Sequence, residues 1–263
     1  MDTISKLLDE LKNKGKTAFI PFITAGDPNL EVTRDLVFAL EKGGADIIEL
    51  GVPFSDPLAD GPTIQRASER ALASGTSLLK IIDFVKEIRT QTTIPIVLMS
   101  YFNPIFRLGI NTVISKAIEA GINGFIIPDL PPEEADDLIE FGLNNKIAII
   151  FFLAPTSSEK RIVLVSKKST GYIYYVSVTG VTGTRNTLDN SLKDQLLSIR
   201  KFTKKPIAVG FGISTPKQAK EVSKYADAVI IGSAIVKIIE SKQKTKEIVY
   251  AVEKFAEEIK KSL

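Results

Sequence analysis

Eight short apolar runs recur along the chain, each followed by a stretch in which apolar positions return every three or four residues. The runs cover residues 18–24, 46–51, 95–100, 124–128, 147–153, 172–176, 206–210 and 228–232. Most are apolar at consecutive positions, the pattern of a parallel strand covered on both faces. Between them, residues 31–42 carry Val32, Leu36, Val37 and Leu40 at helical spacing, and residues 78–89 carry Leu78, Ile81, Ile82, Val85 and Ile88. Residues 132–141 open with Pro and two Glu, a helix-start pattern. Residues 189–202, 216–224 and 246–260 predict further helices, and Ile4, Leu7, Leu8 and Leu11 predict one ahead of the first strand.

The first and last runs are centred near residues 20 and 230, so seven intervals give roughly 30 residues per unit, the size of one βα repeat. Eight such units predict an α/β fold, a single-domain (β/α)8 TIM barrel over residues 1–263. An open doubly wound sheet is the alternative, but it usually has fewer strands. Two insertions, at 52–77 and 177–188, follow the second and sixth strands. Both fall on the face where barrels build their active sites.

Composition narrows the chemistry. The 263 residues include 34 basic and 31 acidic side chains, and a net charge of +3 is too small and scattered for a nucleic-acid binder. With no Cys and no His, disulfides, thiol nucleophiles and a Ser-His-Asp triad are excluded, and no metal site is expected. Acid–base work falls to carboxylates, Lys, Tyr or backbone dipoles. The longest apolar run, 147–155, is well short of the roughly 20 residues of a membrane span. Asp2, Asp9 and Glu10 break the N-terminal pattern expected of an export or transit peptide, so a cytoplasmic location is expected.

Three glycine-bearing stretches follow the last three strands: Gly180-Val181-Thr182-Gly183, Gly210-Phe211-Gly212-Ile213-Ser214, and Gly232-Ser233-Ala234 opening a short helix at 234–239. Glycine lets backbone approach an oxyanion closely, and helix-start N–H groups point at it. Any one stretch alone would be a tight turn; three at adjacent strand ends predict a phosphate site.

Two carboxylates stand out. Glu49 shares a face with Ile47 and Gly51 by strand alternation. If that face is the barrel interior, desolvation favours its neutral form and suits it to general-acid, then general-base work; a structural Glu bonded to a Tyr or backbone group is the plainer alternative. Asp60 precedes Gly-Pro and could cap a helix beginning near Pro62 or accept a bond from a substrate N–H. Phe22, Ile64, Leu98, Tyr101, Ile126, Tyr174 and Phe211 fall at or near strand ends and could line a pocket for a flat ring, although core packing accounts for any one singly.

These residues together resemble the tryptophan synthase alpha chain family over essentially the whole chain. The most specific segments are Pro21-Phe22-Ile23-Thr24-Ala25-Gly26-Asp27-Pro28, the block from Glu49 to Pro62, Met99 to Pro104, Pro128-Asp129-Leu130-Pro131, and Gly180-Val181-Thr182-Gly183. The resemblance implies cleavage of indole-3-glycerol phosphate to indole and glyceraldehyde 3-phosphate. It assigns Glu49 to proton transfer at indole C3 and then from the glycerol hydroxyl, and Asp60 to the ring N–H. Phe22, Ile64, Leu98, Tyr101, Ile126, Tyr174 and Phe211 would border the indole. Gly183, Gly212, Gly232 and Ser233 would hold the phosphate, and Thr182 would bond Asp60 on loop closure. It also implies a pyridoxal-phosphate beta subunit as partner, usually in an α2β2 assembly, docked around Pro53, Asp56, Asn103, Pro104, Asp129 and Pro131. No cofactor is expected in this chain.

The residue inventory fits that chemistry. No Lys lies in or immediately after the predicted strand ends to form an imine, and there is no His for a metal aldolase. Indole protonated at C3 is its own electron sink. Indole-glycerol-phosphate synthase would need catalytic Lys, and a sugar-phosphate epimerase usually needs metal-binding His. A stand-alone lyase and a non-catalytic phosphate-binding scaffold that activates a partner remain as alternatives.

Overall fold

The computed structural model describes residues 1–177, 190–210 and 212–263. Its strands are all parallel and hydrogen-bond in one sheet around a barrel. They are β1 (Ala18–Thr24), β2 (Ile48–Gly51), β3 (Ile96–Met99), β4 (Gly124–Ile126), β5 (Ala148–Ile150), β6 (Phe152–Leu153), β7 (Ile173–Val176), β8 (Ile207–Gly210) and β9 (Ala228–Ile231). β5 and β6 are two halves of one barrel strand, split at Phe151. The first half pairs with β4 and the second with β7, which closes the ring. The predicted eight-stranded barrel is therefore present, with one strand handing its pairing from one neighbour to the next.

Helices α1 (Thr3–Asn13), α2 (Leu30–Lys42), α3 (Pro62–Ala73), α4 (Leu78–Ile88), α5 (Phe102–Leu108) and α6 (Ile110–Glu119) belong to the first half. Helices α7 (Asp136–Asn145), α8 (Glu159–Lys168), α9 (Asn190–Arg200), α10 (Pro216–Ser223), α11 (Ser233–Glu240) and α12 (Thr245–Ser262) belong to the second. Local chemistry sets many of their starts. Asp2, Asn29, Ser77 and Ser158 accept backbone N–H bonds at the heads of α1, α2, α4 and α8, and Thr215 with Gln218 forms a full capping box on α10. The helix predicted over 132–141 is instead a 3₁₀ turn at Pro132–Glu134 followed by α7. The break falls at Ala135, whose φ of −106° and ψ of 16° are not helical and whose side chain is buried in the core.

Two apolar layers result. Between sheet and helices lie Phe19, Ile23, Ile48, Leu50, Ile96, Leu98, Phe125 and Ile127 with the inward faces of the helices. Inside the barrel lie Ala18, Ile20, Ile47, Val97, Ile126, Ala148, Ile150, Tyr172, Tyr174, Ala208, Ala228 and Ile230, joined by Ile4 and Leu8 of α1. α1 plugs the barrel where the strands begin. Small residues make the room: a Cβ at Gly124 would lie 3.2 Å from the Ile4 Cδ1, and one at Gly171 would lie 3.3 Å from its Cγ2. With that end sealed, the opposite strand ends are left to form the site. Among the described residues, no helix is long and apolar enough to cross a membrane.

Candidate active site

Alternation on β2 sends Ile48 and Leu50 outward and Ile47 and Glu49 inward. Glu49 sits in register with Phe22 on β1 and Val97 on β3, and is fully buried. Its Oε1 accepts a bond from the Tyr172 hydroxyl at 2.5 Å, while its Oε2 has no partner among the described residues. Burial pushes the Glu49 carboxyl up to about 8, against the pull of the Tyr172 bond, which lowers it. Burial also raises Tyr172 well above its ordinary range, so the phenol stays a neutral donor. The result is a carboxylic acid, protonated at neutral pH, with one oxygen held and the other unsatisfied.

Asp60 lies in the loop between β2 and α3 and is half-buried. The Tyr101 hydroxyl accepts a bond from the Ala59 N–H at 2.9 Å and donates to the Asp60 Oδ2 at 3.0 Å. Phe54 stacks on the Tyr101 ring at 5.1 Å. The loop is thereby fastened to the end of β3 through one phenol. Burial raises the Asp60 carboxyl above the usual aspartate range, and the Tyr101 bond offsets part of that rise. The predicted capping role is not what the side chain does here: Gly61 occupies the N-cap of α3, with no side-chain cap bond.

Apolar residues wall the same strand ends. Phe22 clusters with Ile64 and Ala67 of α3 and Val236 of α11, with Met99 against them. Two glycines leave space for the Phe22 ring: a Cβ at Gly51 would fall 2.5 Å from its Cζ, and one at Gly232 would fall 3.2 Å from its Cδ1. Ile126 and Tyr174 face the barrel interior, and Tyr174 packs on Phe152 at 4.8 Å. Gly210 leaves room for the Tyr174 hydroxyl, which a Cβ would approach to 2.5 Å.

Leu98 corrects the sequence reading. It is buried in the outer layer, between sheet and helices, so it does not face the pocket. Strand parity gives that place to Met99, two residues beyond the inward Val97. Met99 and Tyr172 are the site residues that the sequence reading missed. Tyr172 shares strand parity with Tyr174, which the sequence had offered for the pocket, so alternation was the available signal for it; Met99 shares parity with Val97, whose inward place only the structure gives.

On the phosphate side, Gly232 and Ser233 open α11, and no side chain among the described residues caps that helix. Its leading N–H groups suit an anion. Gly212 adopts a φ of +77°, a left-handed turn that glycine permits. Thr182, Gly183 and Phe211 lie outside the described residues. Of the predicted partner-facing residues, Asp56 and Asn103 are exposed, and Pro104 and Pro131 are half-buried. Asp129 is exposed and accepts the Phe102 N–H at 2.8 Å, fixing the start of α5. Pro53 is buried in the chain by itself. No cluster of three or more His, Cys, Asp or Glu able to hold a metal occurs among the described residues.

A (β/α)8 barrel that brings a buried glutamic acid, a phenol-held aspartate and an apolar wall together at its strand ends places the chain in the barrel class whose sites form at that face. Comparison with known proteins gives the particular family. The tryptophan synthase alpha chain family model matches residues 8–263. The alpha chain of Geotalea daltonii is 51% identical over 240 residues, covering 91% of both chains. That of a Thermoanaerobacter strain is 44% identical over 263 residues, covering all of both. The crystal structure of tryptophan synthase subunit alpha from Legionella pneumophila superimposes with a TM-score of 0.90 at 38% identity, covering 100% of this chain and 98% of that one. A structure of Mycobacterium tuberculosis tryptophan synthase gives 0.90 at 30% identity, covering 99% and 98%. The chain belongs to the tryptophan synthase alpha chain family, whose role is that of a lyase subunit.

Proposed function

We propose that this chain cleaves indole-3-glycerol phosphate to indole and glyceraldehyde 3-phosphate, without a cofactor of its own. The observation that carries the reading is Glu49: fully buried, pushed up to about 8, in register with Phe22 of the apolar wall, with its Oε2 unpartnered among the described residues. A neutral acid there delivers its proton to indole C3. The ring nitrogen then carries positive charge, and Asp60 as carboxylate accepts its N–H and stabilises that charge. Glu49, now ionised, takes the proton from the glycerol hydroxyl. The bond between C3 and the side chain breaks, its electron pair returns to the ring, and the oxygen becomes the aldehyde. Glu49 ends the cycle protonated, as it began. Phe22, Ile64, Met99, Ile126 and Tyr174 border the indole, while Gly183, Gly212, Gly232 and Ser233 hold the phosphate through backbone N–H groups. Thr182, which lies outside the described residues, is assigned to Asp60 by the family resemblance alone.

Indole then passes to a pyridoxal-phosphate beta subunit in an α2β2 assembly in the cytoplasm. The face for that partner centres on the loops after β2, β3 and β4, with Asp56, Asn103, Pro104, Asp129 and Pro131. Family membership and the exposure of Asp56, Asn103 and Asp129 support this.

The test is turnover of indole-3-glycerol phosphate by the wild type, Glu49→Gln and Asp60→Asn. Both variants should lose measurable cleavage while retaining phosphate-ester affinity, because neither side chain touches the phosphate. Near wild-type turnover by either variant overturns its assignment.

A further inference from the structure

We infer that Arg70 is a positioning residue for the substrate pocket, locking the helix that follows Asp60 onto the helix that opens at Gly232. The inference rests on the proposed reaction for its kinetic meaning and on the ion-pair geometry for its substance. Arg70 lies on α3. Its Nε and Nη2 donate to Asp27 Oδ1 and Oδ2, both at 2.8 Å, and its Nη1 donates to Glu240 Oε1 at 3.1 Å. Asp27 is 1% exposed and follows β1 directly after Gly26. Arg66, one turn earlier on α3, makes a second fork onto Glu240, at 2.7 and 2.9 Å. Glu240 is the last residue of α11.

One guanidinium therefore spans three segments, and each of them also carries a pocket group. β1 carries Phe22, α3 begins two residues after Asp60 and carries Ile64 and Ala67, and α11 begins next to Gly232 and carries Val236. The Phe22–Ile64–Ala67–Val236 cluster joins those same segments, so the ionic clamp and the pocket wall share one set of supports.

The Asp27 end of the clamp is itself fixed. Gly26 sits at a φ of +89°, its N–H donates to the Thr33 hydroxyl at 2.9 Å, and its carbonyl accepts from the Ser74 hydroxyl at 3.2 Å. A Cβ on Gly26 would fall 2.1 Å from the Thr76 Oγ1, so the turn has no slack. A buried carboxylate held by a planar fork resists sliding in a way a lysine point charge does not. If α3 slips against α11, the carboxylate and phosphate ends of the pocket lose their spacing. A misplacement of about 1 Å can cost up to about 100-fold in rate.

The experiment compares full-length wild type with Arg70→Lys, Glu240→Gln and Arg200→Lys. Arg200 forks between the Lys205 carbonyl and Asp227 near the opposite, strand-start end of the barrel, and serves as the stability control. Three quantities are measured: kcat and KM for indole-3-glycerol phosphate, the Kd of glycerol 3-phosphate, and Tm. Arg70→Lys should lower kcat/KM by about 10- to 100-fold and weaken glycerol 3-phosphate by at least about threefold. Arg200→Lys should lower Tm while leaving both readouts at the wild-type level. Glu240→Gln leaves the buried Asp27–Arg70 pair intact and should weaken glycerol 3-phosphate even if Arg70→Lys does not fold. Values of kcat/KM and Kd within about twofold of wild type in a folded Arg70→Lys, or an unchanged Kd in Glu240→Gln, overturn the inference. A wild type that binds glycerol 3-phosphate but cleaves nothing overturns the proposed reaction alone, and the Kd series still decides the clamp. A wild type that binds none overturns both.

Discussion

A carboxyl held at about 8 is mostly protonated at pH 7, and the same group in water would be almost fully ionised. Desolvation inside the barrel produces that difference, and the Tyr172 hydroxyl trims it. The sign of each effect gives a prediction. If catalysis begins with protonated Glu49, activity falls as pH rises through about 8. Tyr172→Phe removes the bond that favours the carboxylate, so the Glu49 value rises and the basic limb of the kcat/KM profile moves to higher pH. A pH–rate series on both proteins checks this, and a limb that stays put or moves down overturns the role of Glu49 as the acid. Asp60 is also raised by burial. In the proposed reaction it ionises to accept the ring N–H, so the acidic limb is expected above the usual aspartate range. Glu49 was legible as a candidate in one strand of sequence. Its protonation state was not, because desolvation depends on the neighbouring strands.

On the scale of elements, β3 shows how one residue of register changes a role. Leu98 packs into the layer between sheet and helices, and Met99 meets Phe22, Ile64 and Val236 at the pocket. Leu98→Ala should cost about 2–5 kcal/mol of stability with KM nearly unchanged. Met99→Ala should raise KM for indole-3-glycerol phosphate with a smaller loss of Tm. Denaturation and steady-state kinetics on the pair check the assignment, and the reverse pattern would return Leu98 to the pocket. Strand and helix positions were largely visible in the sequence, from the apolar runs and the helical spacing of apolar residues between them. The two-part strand at 148–153 was not, since its pairing changes partner at Phe151 and only the closed sheet reveals that. Helices α5, α6 and α8 also escaped the sequence reading.

For the whole molecule, α1 seals one end of the barrel and leaves the other to the proposed site, where the loops after β2, β3 and β4 also lie. Leu58, in the loop after β2, is 93% exposed, and Phe106, on α5, is 67% exposed. Adding a beta subunit should raise the rate of glyceraldehyde 3-phosphate release well above that of the chain alone. Equal, rapid release with and without a beta subunit that demonstrably binds would favour a stand-alone lyase.

By itself the sequence determined the repeat of strand and helix, the barrel it closes into, the candidate carboxylates and the glycine-rich strand ends. These features follow from local periodicity, residue type and spacing, which chain order preserves. Only the tertiary structure decided that Glu49 is fully desolvated and bonded to Tyr172, that Tyr101 holds Asp60 rather than only lining a pocket, that Met99 replaces Leu98, and that Arg70 ties Asp27 to Glu240. Each of those facts joins residues 41 to 170 positions apart or turns on which face of the sheet a side chain meets. Distances and dielectric surroundings of that kind exist only once the barrel has closed.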